Sequence, residues 1–106
     1  MSATEEGGLG FEFSQEADGS PIVLLHGELD MTTTHALETA LQSRVGRETA
    51  RFVVDARDLQ FADSSAIALL VRLANTVDQV EIRNPSQLLR EVIKRMGLSD
   101  QLRLEP

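Results

Sequence analysis

Phe52-Val53-Val54 sets the tightest limit on what this chain can fold into. Three apolar residues stand in a row between Arg51 and Asp55. In a strand, neighbouring side chains point to opposite faces of the sheet. Such a run is therefore apolar on both faces, which predicts a central strand covered by helices. Ile22 to Leu25 is a second unbroken apolar run. Phe11 and Phe13 alternate with Glu12 and Ser14, as a half-buried strand should. The turn sequence Asp18-Gly19-Ser20-Pro21 joins these two segments into a hairpin.

Around these strands the helical periodicities fall in order. Thr32, Thr33 and Thr34 offer N-caps to a helix carrying Leu37, Ala40, Leu41 and Val45, which Gly46 stops. After Phe52 to Val54, a loop of six or seven residues leads to a second helix opened by Asp63-Ser64-Ser65. Ile67, Leu70, Val71, Ala74 and Val77 form its stripe, and it ends near Asn75 or Thr76. Leu69 and Leu73 lie off that stripe and are assigned to the core. Val80 and Ile82 alternate with Glu81 and Arg83 in a further strand. Asn84-Pro85-Ser86 caps a third helix with Leu88, Leu89, Val92, Ile93 and Met96 facing inward and Gly97 at its end. Leu102 and Leu104 close the chain as a short strand. The order predicts an α/β fold, a mixed β-sheet of four to five strands with about three to four helices packed against it. Residues 1–10, with three glycines and two glutamates, read as a flexible leader, and residues 11–106 as a single domain.

Composition narrows the function. The 106 residues include no cysteine, so disulfides and thiolate chemistry are excluded. No apolar run approaches the roughly 18–20 residues that span a bilayer. Met1 to Gly10 lacks the basic and apolar regions of a signal peptide. These features predict a cytoplasmic protein with no membrane insertion. The net charge of −7 is uneven: residues 1–63 hold 12 acidic and 4 basic side chains, residues 64–106 hold 5 and 6. Nucleic-acid binders draw affinity from basic patches, so this balance points instead to a basic protein partner.

An enzyme reading finds little. His26 sits in an apolar strand, His35 in the first turn of a helix, and they do not share the spacing of paired metal ligands. There is no nucleophile elbow and no phosphate-cradling Gly-Lys-Ser/Thr loop. Asp55, Asp58 and Asp63 offer three carboxylates to a Mg²⁺, a pattern without specificity. No catalytic residue, metal or cofactor is expected, and a small hydrolase or phosphotransferase is the weakest reading.

Asp63 is a good N-cap, since its carboxylate accepts from the free N–H groups of a first helical turn. Ser64 then sits at the mouth of the preceding loop with an accessible hydroxyl. Gly27-Glu28-Leu29-Asp30 ends the second strand, where Gly27 and Leu29 are assigned structural roles and Asp30 or Thr32 caps the first helix.

A strand, a loop and then Asp63-Ser64-Ser65 followed by small and apolar residues resembles the signature of STAS domains, the fold shared by anti-sigma factor antagonists and the cytoplasmic tails of sulfate transporters. Gly27-Glu28-Leu29-Asp30 resembles the family's other common motif, and the matching element order spans residues 11–105. The resemblance implies a STAS-type sheet and the role of an antagonist that binds an anti-sigma factor, itself a serine kinase, and so releases a sigma factor. It implies that Ser64 is phosphorylated by that kinase, which ends binding, and that a phosphatase restores it. It places Asp30, Met31 and Thr32 beside the serine loop. With Asp58, Asp63, Ser64 and Ser65 they are the expected partner contacts. The alternative is a non-phosphorylated STAS scaffold or accessory subunit of a stress-signalling or lipid-transport complex. One departure is Ala66, where the family usually carries glycine; its methyl adds bulk beside the serines.

Overall fold

The computed structural model describes residues 4–6, 8–45 and 49–105. Six strands form one sheet in sequence order: β1 (Thr4–Glu6), β2 (Leu9–Gln15), β3 (Pro21–Leu29), β4 (Arg51–Ala62), β5 (Gln79–Arg83) and β6 (Leu102–Glu105). The first three are antiparallel and the last four run parallel, so the sheet is mixed. Helices α1 (Thr34–Gln42), α2 (Ser64–Ala74) and α3 (Gln87–Arg95) connect the parallel strands.

All three helices pack on one face. Each crossover steps to the next strand in the same direction, and crossovers of one hand that step one way leave their helices on one side. Phe52, Val54 and Ala56 of β4 join Leu37, Leu70 and Ile93 of the helices in a single core cluster with Val23, Leu25, Val80 and Ile82. Leu69 and Leu73 belong to it, as their assignment to the core required. The expectation that helices cover both faces of Phe52-Val53-Val54 therefore needs correction. Val53 points to the other face and is nonetheless fully buried. A polar cover does this. The hairpin turn between β2 and β3 folds over that face, where Glu16 meets Arg83 at 2.7 Å and Asp18 meets Arg51 at 3.3 Å. Arg51 also pairs through its fork with the buried Glu81 of the neighbouring strand.

Three further details differ from the sequence reading. The sheet starts before Phe11: Thr4 to Glu6 pairs with Leu9 to Phe11, and Leu9 is fully buried. The supposed leader thus contributes two strand segments, while residues 1–3 and 7 lie outside the described residues. The loop expected before Asp63 is instead strand, with two extra residues in β4 relative to β3 between Leu24 and Glu28. Leu88 and Met96, expected to face inward, are 69% and 56% exposed, and only Leu89 and Ile93 of α3 are buried. Two adjacent apolar rows with four-residue spacing run along α3, Leu88-Val92-Met96 and Leu89-Ile93, and the core buries only the second.

The helix ends largely follow the sequence. α2 stops at Ala74 with Asn75 as its cap. α3 ends in a Schellman arrangement, with Leu98 N–H donating to the Ile93 carbonyl, Gly97 N–H to that of Lys94, and Gly97 at φ +72°. The N-cap of α1 is Thr33, but its side chain does not cap the helix. Gly46, the expected stop for α1, lies outside the described residues; the helix ends at Gln42.

Gly27 carries a sharper demand. Its φ is +95°, and a Cβ there would lie 2.1 Å from the Gly8 carbonyl oxygen. Gly27→Ala is expected to cost about 2–3 kcal/mol from backbone strain alone, measured by urea unfolding. Acid should act through the polar cover. Arg51 and Arg83 hold the carboxyls of Glu81 and Glu16 below the usual glutamate range, first by direct hydrogen bonds. Their contribution to stability is complete above an unfolded value of about 4.3 and lost as pH falls through the lower folded values. Glu81→Gln should flatten the decline of the melting temperature below about pH 4.5.

Candidate functional site

The site forms where the end of β3 and the end of β4 meet. Leu29 pairs with Ala62, and the next residue, Asp63, donates its N–H to the Leu29 carbonyl at 3.2 Å. Asp63 stays extended, at φ −103° and ψ −169°, and its carboxylate turns back over the first turn of α2. Oδ1 accepts from Ser65 N–H at 2.9 Å, from Ala66 N–H at 3.2 Å and from the Ser65 hydroxyl at 2.5 Å. Oδ2 accepts from Met31 N–H at 3.2 Å. The Ser65 hydroxyl is the largest of the influences that hold this carboxyl below the usual aspartate range, with the three backbone N–H groups behind it. The N-cap read from the sequence is therefore present, and it also ties down a second loop.

That loop is built around Asp30 and Thr33. The Asp30 carboxylate accepts from the Thr32 hydroxyl at 2.7 Å and from Thr32 N–H at 2.9 Å. The same hydroxyl is the main cause of its lowered pKa, while the nearby charge of Asp63 works the other way. Thr33 is buried, donating to the Glu28 carbonyl at 3.0 Å and accepting from Asp30 N–H at 3.0 Å. Asp30 thus caps the turn before α1 rather than the helix itself. With the loop fixed this way, Met31 projects outward and is 78% exposed.

The three residues after Asp63 separate cleanly. Ser64 is exposed, and its hydroxyl makes no hydrogen bond among the described residues. Ser65 is partly buried and engaged with Asp63. Ala66 is fully buried. Its methyl packs in the core and adds no bulk on the surface beside the serines, contrary to expectation.

Asp58 stands apart from the other expected contacts. It sits on β4 opposite His26 of β3, and five residues of strand at up to about 3.3 Å each, shortened by a bulge, put it roughly 15 Å from Asp63. It lines a separate depression with Asp55 and Arg57. No three His, Cys, Asp or Glu side chains among the described residues are grouped to hold a metal ion, so Asp55, Asp58 and Asp63 do not converge. His26 is exposed on the helix-free face with its ring over Gly10, and His35 is exposed on α1.

The sequence reading missed an apolar cleft of about 220 Å³ beside Ser64. β4 forms one bank and α3 the other. Leu59 and Ile67 line it along with the exposed Phe61, Leu88 and Met96. Phe61 lines the cleft at the bulged end of β4, a stretch that sequence periodicity does not mark as strand. The row Leu88, Val92, Met96, beside the buried Leu89 and Ile93, was the available signal: α3 has more apolar face than one-sided packing uses.

Comparison with known proteins agrees with this architecture. A family model described as "Mlab, STAS domain" matches residues 13–105. The solved structure of an anti-sigma factor antagonist from Mycobacterium paratuberculosis superposes with a TM-score of 0.81 at 24% identity, covering 92% of this chain and 86% of that one. The Bacillus cell fate determinant SpoIIAA in its phosphorylated form gives 0.71 at 19% identity, with 91% of each chain covered. The unphosphorylated form of the anti-sigma factor antagonist SpoIIAA gives 0.74 at 19%, covering 91% of this chain and 88% of that one. At these identities the likeness establishes the fold. No curated protein sequence matches the chain significantly.

The two oxygens of Asp63 can be separated experimentally. Asn at this position keeps one acceptor for the helix but can present an N–H₂ group to Met31 N–H. Asp63→Asn should leave Ser65 and Ala66 amides protected and speed hydrogen exchange at Met31. Asp63→Ala should speed exchange at all three.

Proposed function

Because this chain belongs to the STAS domain family, we propose that it is an anti-sigma factor antagonist whose grip on its partner is set by the phosphorylation state of Ser64. The observation that carries this reading is the free, exposed hydroxyl of Ser64 at the start of α2, beside a serine whose hydroxyl is already held. The partner is an anti-sigma factor that acts as a serine kinase, and a phosphatase resets the site. Asp30, Met31, Thr32, Asp63, Ser64 and Ser65 form the contact. The protein is a regulated binder and not a catalyst, and it works in the cytoplasm. Among the described residues, no helix is long and apolar enough to cross a membrane.

The physics of the switch is local. A phosphoserine adds about −1.5 to −2 charge. The positive end of α2 welcomes that charge, while the carboxylates of Asp63 and Asp30 oppose it. These effects largely offset each other within the domain, so the fold stays as it is. At a desolvated contact the added bulk and charge have no such offset, and the partner leaves. The alternative is a STAS scaffold or accessory subunit whose contacts need no phosphate.

The test uses the serine-kinase anti-sigma factors of the native host, purified and titrated with wild type, Ser64→Ala and Ser64→Glu. Wild type and Ser64→Ala should bind alike, and Ser64→Glu should bind about tenfold weaker or worse. Retention by Ser64→Glu at wild-type strength would sink phosphate-controlled release and leave the accessory-subunit reading. In NMR spectra, phosphorylation of Ser64 should shift amides near residues 30–33 and 61–67 and leave β2, β5 and β6 in place.

A further inference from the structure

β5 accompanies β4 only as far as the pair Asp55 and Arg83. Beyond that point β4 continues for seven residues, 56–62, with β3 on one side and no strand on the other among the described residues. This free edge forms one wall of the cleft beside Ser64. Backbone N–H and C=O groups along an unpaired edge are a template for another strand. Edges of this kind recognise extended peptides by main-chain hydrogen bonds, with side-chain pockets giving selectivity.

The surrounding side chains suit such a guest. Five large hydrophobic residues are exposed among the described ones, and four of them, Met31, Phe61, Leu88 and Met96, stand around this end of the molecule. Met31 is joined to Asp63 through its N–H, and the other three line the cleft. The fifth, Leu24, lies on the opposite, helix-free face, between the inward-pointing Val23 and Leu25. At the Asp63 end the rim is acidic: Asp63 and Asp30 are both held ionised by their hydrogen bonds. Acidic side chains are disfavoured there, and basic ones are favoured.

We infer that the cleft takes an extended segment of the partner protein, added as a strand along residues 56–62, with apolar side chains between β4 and α3 and a basic residue toward Asp63. Residues 56–62 run alongside residues 25–29 of β3, with the two extra residues taken up as bulges, which gives about 17 Å of edge. Ser64 lines the same cleft. A phosphate there fills its mouth, so strand addition and phosphorylation exclude each other. This inference rests on the proposed reading for the partner's identity and adds the way in which it is held.

The test uses the anti-sigma factor that binds wild type in the titration above. Leu88→Ser, Met96→Ser and Phe61→Ser all alter exposed side chains and should fold normally, which circular dichroism and melting confirm. Each should weaken binding about tenfold or more, whereas Leu24→Ser should bind as wild type. In the complex, hydrogen exchange at amides within 56–62 should slow relative to the free protein. Unchanged exchange there, or wild-type affinity in all three variants while Ser64→Glu still releases, would overturn strand addition and leave the antagonist reading intact. If wild type binds no such anti-sigma factor, both fall together.

Discussion

Asp63 organises its end of the molecule because it satisfies two loops with one carboxylate. Oδ1 closes the start of α2, and Oδ2 reaches across to Met31 N–H. Its own N–H is fixed to Leu29. Residues 32 positions apart in the chain are thereby locked at the ends of two parallel strands. The exposure of Ser64 follows directly. With Ser65 taken up by the carboxylate and Ala66 buried in the core, Ser64 is the one serine of the pair left facing solvent with its hydroxyl unengaged.

The opposite face of the sheet solves a different problem. A sheet with helices on one side leaves the other to water, yet Val53 and Ile22 on that side are buried. Charged side chains do the covering. Long arginines carry apolar stems over neighbouring residues while their heads remain paired and partly hydrated. Arg51 and Arg83 do so here, held by Glu81, Glu16 and Asp18. The exposed pairs among them contribute little individually. Their joint effect is to seal the sheet without a second layer of helices.

What could be read from the sequence follows from what side-chain identity controls. The cap at Asp63, the Schellman end at Gly97 and the core placement of Leu69 and Leu73 were legible, because each depends on local chemistry or helical spacing. The burial of Leu9 was hidden behind a glycine-rich segment that looks unstructured by composition alone. The continuation of β4 to Ala62 was hidden because its extra residues break the period-two pattern that marks a strand. That one error concealed much: it turned a bulged strand edge into a loop, and it removed Phe61 from the set of candidate contacts. The outward row of α3 was misread for a related reason, since apolar spacing tells that a face is sticky but not whether its own domain covers it.

The link between Leu29 and Asp63 has a consequence for when the protein becomes recognisable. Neither loop carries the site alone, and the strands that bring them together, β3 and β4, are parallel and connected through α1. Parallel pairing over such a separation forms late, because loop closure precedes the contacts that reward it. A nascent or partly unfolded chain therefore contains the sequence Asp63-Ser64-Ser65 but not the surface around it. A partner that reads the shape of this surface would engage finished molecules and pass over the rest.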